Sequence, residues 1–133
     1  MSQISLIREE SRKRGAKRTI KVPAIVASGM LQYTKDHAKL KGVIRQYGAF
    51  NQVVIINNDV VDIQIELDFA ENKTYPVSKA SSLSIDEITF QEFNITNLDA
   101  GAGVTANKIT IIASYEAPLI RERLQPKKML GGY

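Results

Sequence analysis

The residues best suited to chemistry in this chain are cations packed close together near its N-terminus. Residues 8–21 carry seven basic side chains against two glutamates, a net charge of +5. Because lysine and arginine bind phosphates with release of counterions, this cluster predicts contact with a polyanion. An anionic membrane or a neighbouring subunit is the alternative partner of such a segment. The candidate contact residues are Arg8, Arg12, Lys13, Arg14, Lys17, Arg18 and Lys21.

The composition of this basic segment narrows the kind of nucleic-acid contact. No aromatic residue lies within residues 1–21, and aromatic side chains are what proteins use to stack on unpaired bases. The predicted contact is therefore with the phosphate backbone and independent of base sequence. Ile4, Leu6 and Ile7 precede the charges and keep an anionic membrane open as the alternative.

A second basic segment lies near the C-terminus and is mixed with apolar side chains. Residues 121–128 carry four cations against Glu122, and since the whole chain carries +4, residues 22–120 carry a net −4. Apolar side chains gain free energy by leaving water, so this segment either packs back on the domain or docks on a neighbouring subunit. The candidate subunit contacts are Leu119, Ile120, Leu124, Met129 and Leu130.

The other reactive residue types form no catalytic or metal-binding pattern. His37 is the only histidine and cysteine is absent. This excludes a catalytic triad with a cysteine nucleophile, and it excludes a metal site built from several histidines of one chain. Asp62 and Glu66 share a predicted strand face but stand about 13 Å apart, beyond the range of glycosidase carboxylate pairs. We therefore predict no enzymatic activity, no metal or cofactor, and no small-molecule substrate.

Length and composition are typical of one domain with its own core. The chain has 133 residues, of which 44% are hydrophobic, enough to bury a stable core without disulfides. No apolar run approaches the roughly 20 residues of a membrane span. The first residues also lack the apolar centre of a secretory signal, so synthesis in the cytoplasm is expected.

The apolar periodicity after residue 52 predicts strands. Residues 61–67 alternate apolar and polar side chains, and residues 108–115 repeat the pattern, which is typical of half-buried strands. Residues 75–77 contain a proline and predict a short edge strand. The serine-rich stretch around residues 81–82 is interpreted as a loop.

The alternation breaks between Phe90 and Phe93. A separation of three residues places them on opposite faces of a regular strand. We predict a one-residue β-bulge near residues 91–92, which returns both rings to the core face.

One helix is predicted over residues 31–47, with a loop and a short strand as the alternative. Gly48 follows the pattern as a natural C-terminal residue, although Gly42 inside it costs about 1 kcal/mol relative to alanine. We expect the only histidine to pack at the edge of the apolar face. The residues that share this face, at spacings of four and three, are Tyr33, His37, Leu40, Ile44 and Tyr47.

Short strands separated by Gly, Asn and Pro turns indicate an all-β protein built as an antiparallel β-sandwich. A single helix candidate argues against a parallel sheet, which needs a crossover helix for each strand pair. We predict a basic N-terminal arm at residues 1–21, a sandwich domain at residues 22–118 that contains the helix, and a C-terminal arm at residues 119–133.

Three stretches of this sequence resemble small β-sandwich proteins of virus particles, the capsid, vertex and decoration subunits of tailless icosahedral viruses and phages. They are residues 53–59 (VVIINND), 61–68 (VDIQIELD) and 95–111 (ITNLDAGAGVTANKITI). The resemblance implies a jelly-roll-like sandwich that assembles through arms and edges and catalyses nothing. It also implies that the basic N-terminal arm faces the genome or an internal membrane.

These features together predict a non-enzymatic structural subunit of a virus particle, as a capsid, vertex or capsid-associated protein. Its expected partners are copies of itself or other capsid proteins, and nucleic acid or an anionic membrane through the basic arm. We expect to find it in the virion after assembly in the host cytoplasm. The alternative is a nucleic-acid-binding protein that uses the arm for sequence-independent phosphate contacts. Self-assembly without nucleic acid favours the first hypothesis, and tight binding by a monomer favours the second.

Overall fold

A computed structural model describes residues 15–117, which form a protein that is nearly all β-structure. One α-helix, α1 (Lys41–Tyr47), and a short 3₁₀ turn at Glu71–Lys73 accompany the strands. The eight strands are β1 (Gly15–Lys21), β2 (Met30–Tyr33), β3 (Gln52–Asn57), β4 (Ile63–Leu67), β5 (Thr74–Val77), β6 (Ser81–Ile85), β7 (Phe93–Asn97) and β8 (Ile109–Glu116).

The strands form two antiparallel sheets of four strands each. The first sheet has the order β1-β8-β3-β6, and the second has the order β2-β7-β4-β5. Strand β1 pairs with β8, β2 with β7, β3 with β6 and β4 with β5, as if one long hairpin with its tip between β4 and β5 had been rolled up. That connectivity is the jelly roll, so the predicted antiparallel sandwich is confirmed.

The core lies between the inner faces of the two sheets. In β3 and β4 every second side chain is buried, and for β4 this is the alternation that the sequence predicts. Phe50 and Phe90 are fully buried in the core and stack with ring centroids 5.4 Å apart. Burying each large apolar side chain stabilises the fold by about 1.5–3 kcal/mol.

The sandwich begins earlier than the sequence predicts. Residues 15–21, assigned above to the arm, form β1 and pair along their whole length with β8. The reason is that Ile20 is buried in the core and Ala16 packs against it, while the cations between them hide this alternation in the sequence. Gly15 permits the entry, since its φ is +108° and a Cβ there would overlap the carbonyl oxygen of Tyr115.

The predicted helix over residues 31–47 is wrong in its first half. Residues Met30–Tyr33 form β2, and Tyr33 lies opposite Phe93 of β7, with the two rings stacked at 5.0 Å. Residues 34–40 form turns, and only Lys41–Tyr47 is helical. The helical spacing of the apolar residues could not distinguish a continuous helix from a strand end followed by turns. Both structures direct these side chains towards the core.

Two other local predictions also change. The serine-rich stretch forms strand β6, paired with β3, instead of a loop. Phe90 and Phe93 are both fully buried without a bulge, because Phe90 bridges to Phe50 while Phe93 begins β7 in the second sheet. The break in alternation between Phe90 and Phe93 therefore marks the point where the chain crosses from the first sheet to the second. The short edge strand with Pro76 is confirmed as β5.

Two buried asparagines organise the loops at one end of the sandwich. The Nδ2 group of Asn57 donates to the carbonyl oxygens of Val61, Val77 and Ser78 at 2.9, 3.3 and 3.2 Å. Asn97 donates in the same way to Val26 at 3.2 Å and Ala102 at 2.8 Å. In each case the amide oxygen accepts the N–H two residues ahead, as in an Asx turn.

A candidate anion-binding surface along strand β1

Strand β1 carries its cations along an edge of the first sheet that no other described strand covers. The hydrogen bond from the N–H of Val22 to the carbonyl of Ile109, at 2.9 Å, fixes which groups of β1 face β8. By alternation, the backbone groups of Lys17, Thr19 and Lys21 point away from the sheet. The side chains of both lysines are exposed and stand about 13 Å apart along the strand.

The segment between β2 and helix α1 adds a third lysine to this edge. The Nζ group of Lys39 donates to the carbonyl oxygen of Thr19 at 2.9 Å. Arg18 donates from its Nη1 atom to the carbonyl oxygen of Lys17 at 3.0 Å. Both acceptors are outward-facing carbonyls, so cationic side chains occupy the hydrogen-bonding positions that a further strand would need.

Helix α1 brings two more cations near the start of β1. Its last residue, Tyr47, stacks on Tyr115 with ring centroids 4.6 Å apart, and Tyr115 lies opposite Ala16 of β1. The chain from residue 39 to residue 47 therefore runs from the middle of β1 towards its beginning. Lys41 and Arg45 are exposed on this helix. We call the six cations Lys17, Arg18, Lys21, Lys39, Lys41 and Arg45 the β1 basic surface.

Charge on the β1 basic surface is of one sign. Its segments, residues 15–21 and 39–47, contain no carboxylate. On the second sheet, by contrast, carboxylates accept hydrogen bonds from their own chain. Glu66 accepts from Asn94 at 3.0 Å, and Asp68 accepts from the N–H of Gln91 at 2.7 Å and pairs with Lys73 at 3.3 Å. Burial raises the pKa of the Tyr33 phenol above its ordinary value of 10.0, which keeps it neutral.

An extended set of cations suits an extended anion. The side chains are spread along a strand edge and a neighbouring helix, a layout that matches successive phosphates of a nucleic acid or the headgroups of an anionic membrane. Each phosphate contact releases counterions, so affinity would fall steeply with salt.

The residues considered for other chemistry have structural contacts. His37 accepts the N–H of Lys39 at its Nδ1 atom, at 3.1 Å, and packs against the Tyr33 ring at 5.2 Å. Asp62 accepts the N–H of Lys79 at 2.8 Å. Within residues 15–117 no group of three or more His, Asp or Glu side chains is placed to hold a metal ion. In the same part of the chain, no helix is long and apolar enough to cross a membrane.

The structure assembles part of the predicted contact set and extends it. Lys17, Arg18 and Lys21 lie together on β1, whereas Arg8, Arg12, Lys13 and Arg14 lie outside the described residues, as do Leu119, Ile120, Leu124, Met129 and Leu130. Sequence reasoning missed Lys39, Lys41 and Arg45 as members of the same surface. The only sequence indication was that Lys39 and Lys41 lie mostly off the apolar face of residues 33–47, which does not reveal what they approach, and Arg45 had none.

Comparison with known proteins yields only remote structural likeness. No family model matches the chain, and no curated protein matches it. The EutQ protein of Clostridium difficile is similar at 10% identity and a TM-score of 0.35, covering 83% of this chain and 69% of that one. The coat protein of Tobacco streak virus is similar at 14% identity and a TM-score of 0.38, covering 79% of this chain and 88% of that one. At these values neither similarity is an argument about function.

Proposed function

We propose that this protein is a structural subunit of a virus particle whose β1 basic surface contacts the packaged nucleic acid. The subunit acts without catalysis and associates with copies of itself or with other shell proteins. Its place is the virion, after assembly in the host cytoplasm. The observation that carries the proposal is the gathering of six cations along one edge of a jelly roll.

The fold supports a building role. Jelly rolls occur as capsid domains, as lectins and as cupins, and they differ in where the working residues lie. Lectins and cupins use a localised site for a small ligand, whereas a capsid subunit works through its edges and outer faces. Here the grouped charges lie on a strand edge and an exposed helix, which favours the capsid type among the three.

The charge pattern supports a nucleic-acid partner. The basic segment at residues 8–14 precedes β1 directly, so the surface is continuous in sequence with further cations. Double-stranded nucleic acid carries about one charge per 1.7 Å of axis, so lysines about 13 Å apart on a strand can each meet a phosphate. Contacts of this kind are independent of base sequence.

Fluorescence anisotropy with a short labelled duplex tests this proposal on the full-length chain. The triple variant Lys17→Gln/Lys21→Gln/Lys41→Gln removes three exposed charges from the surface. Lys35→Gln is the single-charge control, because Lys35 is exposed outside the β1 basic surface and its N–H binds the side chain of Glu92, next to β7 of the second sheet. Binding is measured between about 50 and 200 mM salt. We expect the triple variant to lower the slope of log affinity against log salt by about 2–3 and the control to leave it unchanged.

The possible outcomes separate the hypotheses. Equal binding by wild type and triple variant would refute the nucleic-acid role of this surface. Binding to anionic lipid vesicles with no binding to the duplex would assign the surface to an internal membrane. Tight duplex binding by a chain that stays monomeric at all concentrations, measured by light scattering, would favour the nucleic-acid-binding protein over the assembly subunit.

A further inference from the structure

Strand β6 ends the first sheet on the side opposite β1, and its outer edge pairs with no strand in residues 15–117. The hydrogen bond from the N–H of Asn58 to the carbonyl of Lys108, at 2.9 Å, shows that even-numbered residues along β3 face β8. The odd-numbered residues of β3 therefore face β6, in the register Ile55 opposite Leu83. By alternation, the N–H and C=O groups of Ser82 and Ser84 point outwards. Within residues 15–117 no strand pairs with them.

The other edge strands carry devices that prevent pairing, and β6 carries none. Natural sheets protect edges with charges, prolines or very short strands. Strand β1 has its cations, β5 contains Pro76, and β2 has four residues. Strand β6 reads Ser-Ser-Leu-Ser-Ile, five residues with neither charge nor proline. An open edge of this composition is a template for another strand.

We propose that β6 is a self-association surface, at which two copies of this protein pair their β6 strands antiparallel about a twofold axis at Leu83. Ser82 of each copy then lies opposite Ser84 of the other, and their outward N–H and C=O groups bond reciprocally. The side chains keep their faces, because residues of equal parity meet and the half-buried Leu83 side chain stays on the core side. The two first sheets become one continuous sheet.

Charge complementarity selects this register and this occupant. The same twofold axis places the turn that carries Lys79 of one copy beside the end of β6 that carries Glu87 of the second copy, and it does so at both ends of the strand. Both side chains are exposed, and neither forms an ion pair within the described part of the chain. Ala80 and Glu87 have φ values of 53° and 55°, which end the extended segment on each side and limit sliding. Self-pairing of β1 would instead oppose its cations.

This inference rests on the proposed function and names the strand by which its subunits associate. The test uses charge reversal in the full-length chain. Lys79→Glu leaves two carboxylates facing at each end of the pair, and Glu87→Lys leaves two ammonium groups facing. Each single variant is expected to weaken self-association by about tenfold or more, since like charges at an interface are strongly unfavourable. Thermal unfolding of a dilute monomer checks that both variants still fold.

Mixing the two variants supplies the decisive control. In a mixed pair, each carboxylate of the Lys79→Glu copy would again face an ammonium group of the Glu87→Lys copy, at both ends of the strand. Light scattering should therefore show the mixed dimer at concentrations where each variant alone is monomeric. The double variant Lys79→Glu/Glu87→Lys should associate like wild type, because it exchanges the two charges without opposing like ones.

Each other result overturns the assignment in a recognisable way. A wild-type oligomer that neither variant weakens would refute pairing through β6 and leave the proposed subunit role standing. The same result combined with cross-linking of residues 118–133 to β6 would identify a terminal segment of another copy as the occupant. A wild-type chain that stays monomeric, alone and with nucleic acid, would refute both the pairing and a shell built from copies of this chain alone.

Discussion

Strands β1 and β6 are the two edge strands of the same sheet, and their outward-facing backbone groups differ in hydrogen bonding. At β1 the outward carbonyls of Lys17 and Thr19 accept hydrogen bonds from Arg18 and Lys39. At β6 the corresponding groups of Ser82 and Ser84 have no strand beside them in residues 15–117. Under the two proposals above, the two edges of one sheet have different functions. The cations at β1 exclude another strand and attract anions, while the uncharged β6 accepts another strand.

The largest expected effect comes from removing β1 from its place. Gly15→Ala puts a Cβ into the carbonyl of Tyr115, on a residue with φ of +108°, so the beginning of β1 must separate from β8. We expect the free energy of unfolding to fall by about 2–4 kcal/mol in urea unfolding. Gly42→Ala is the control, because a Cβ there meets nothing within 4 Å and should stabilise helix α1 by up to about 1 kcal/mol. Equal effects of both substitutions would contradict this account of β1.

Intermediate effects are expected at the two buried asparagines, which secure opposite edges. Asn57 holds the turn between β5 and β6 through Val77 and Ser78, whereas Asn97 holds the loop after β1 through Val26. Replacing either with alanine removes several hydrogen bonds from the side-chain amide to backbone carbonyls, together with the Asx turn, and should cost about 2–3 kcal/mol. Hydrogen exchange should then locate the loss: near β6 for Asn57→Ala and near residues 22–29 for Asn97→Ala. Loss spread evenly over both edges in each variant would mean that the two edges are not held separately.

The smallest expected change tests whether the β1 edge is protected by side chains. Lys39→Met keeps an unbranched side chain but removes the donor to the carbonyl of Thr19. Because the contact is exposed, the free energy of unfolding should change by less than about 1 kcal/mol. Self-association at high concentration should rise, as followed by light scattering, since the edge regains a free acceptor. Lys35→Met, which alters a lysine outside the β1 basic surface, should leave association unchanged.

Much of the sandwich could be predicted from the sequence because burial imposes a local pattern on strands. Alternation in residues 61–67 and 109–115 located β4 and β8 and their inner faces. Pro76 marked an edge strand correctly, since proline cannot donate a ladder hydrogen bond. Predictions failed where the pattern was ambiguous. The spacing of Tyr33 and Leu40 suits a helix, but pairing of Tyr33 with β7 places it in a strand.

The candidate surface could be predicted only in part, for a related reason. Charge density along the chain identified Lys17, Arg18 and Lys21, because they are close in sequence. Lys39 joins them through a contact between residues twenty positions apart, which no local pattern records. The position of β6 at a sheet edge could not be predicted from the sequence either. Ser82 and Ser84 would alternate with apolar residues whether or not another strand lay beside them.

The sequence by itself determined that β4 and β8 alternate into the core, that the chain favours an antiparallel sandwich, and that its cations concentrate in residues 8–21 and 121–128. These follow from local physics: side-chain burial, turn chemistry and charge. The tertiary structure alone decided which strands are neighbours, and hence which edges stay open and which lysines share a surface. Strand neighbours are set by pairing between segments distant in sequence, such as β1 with β8. Because the strands have similar local patterns, the sequence does not show which of them pair.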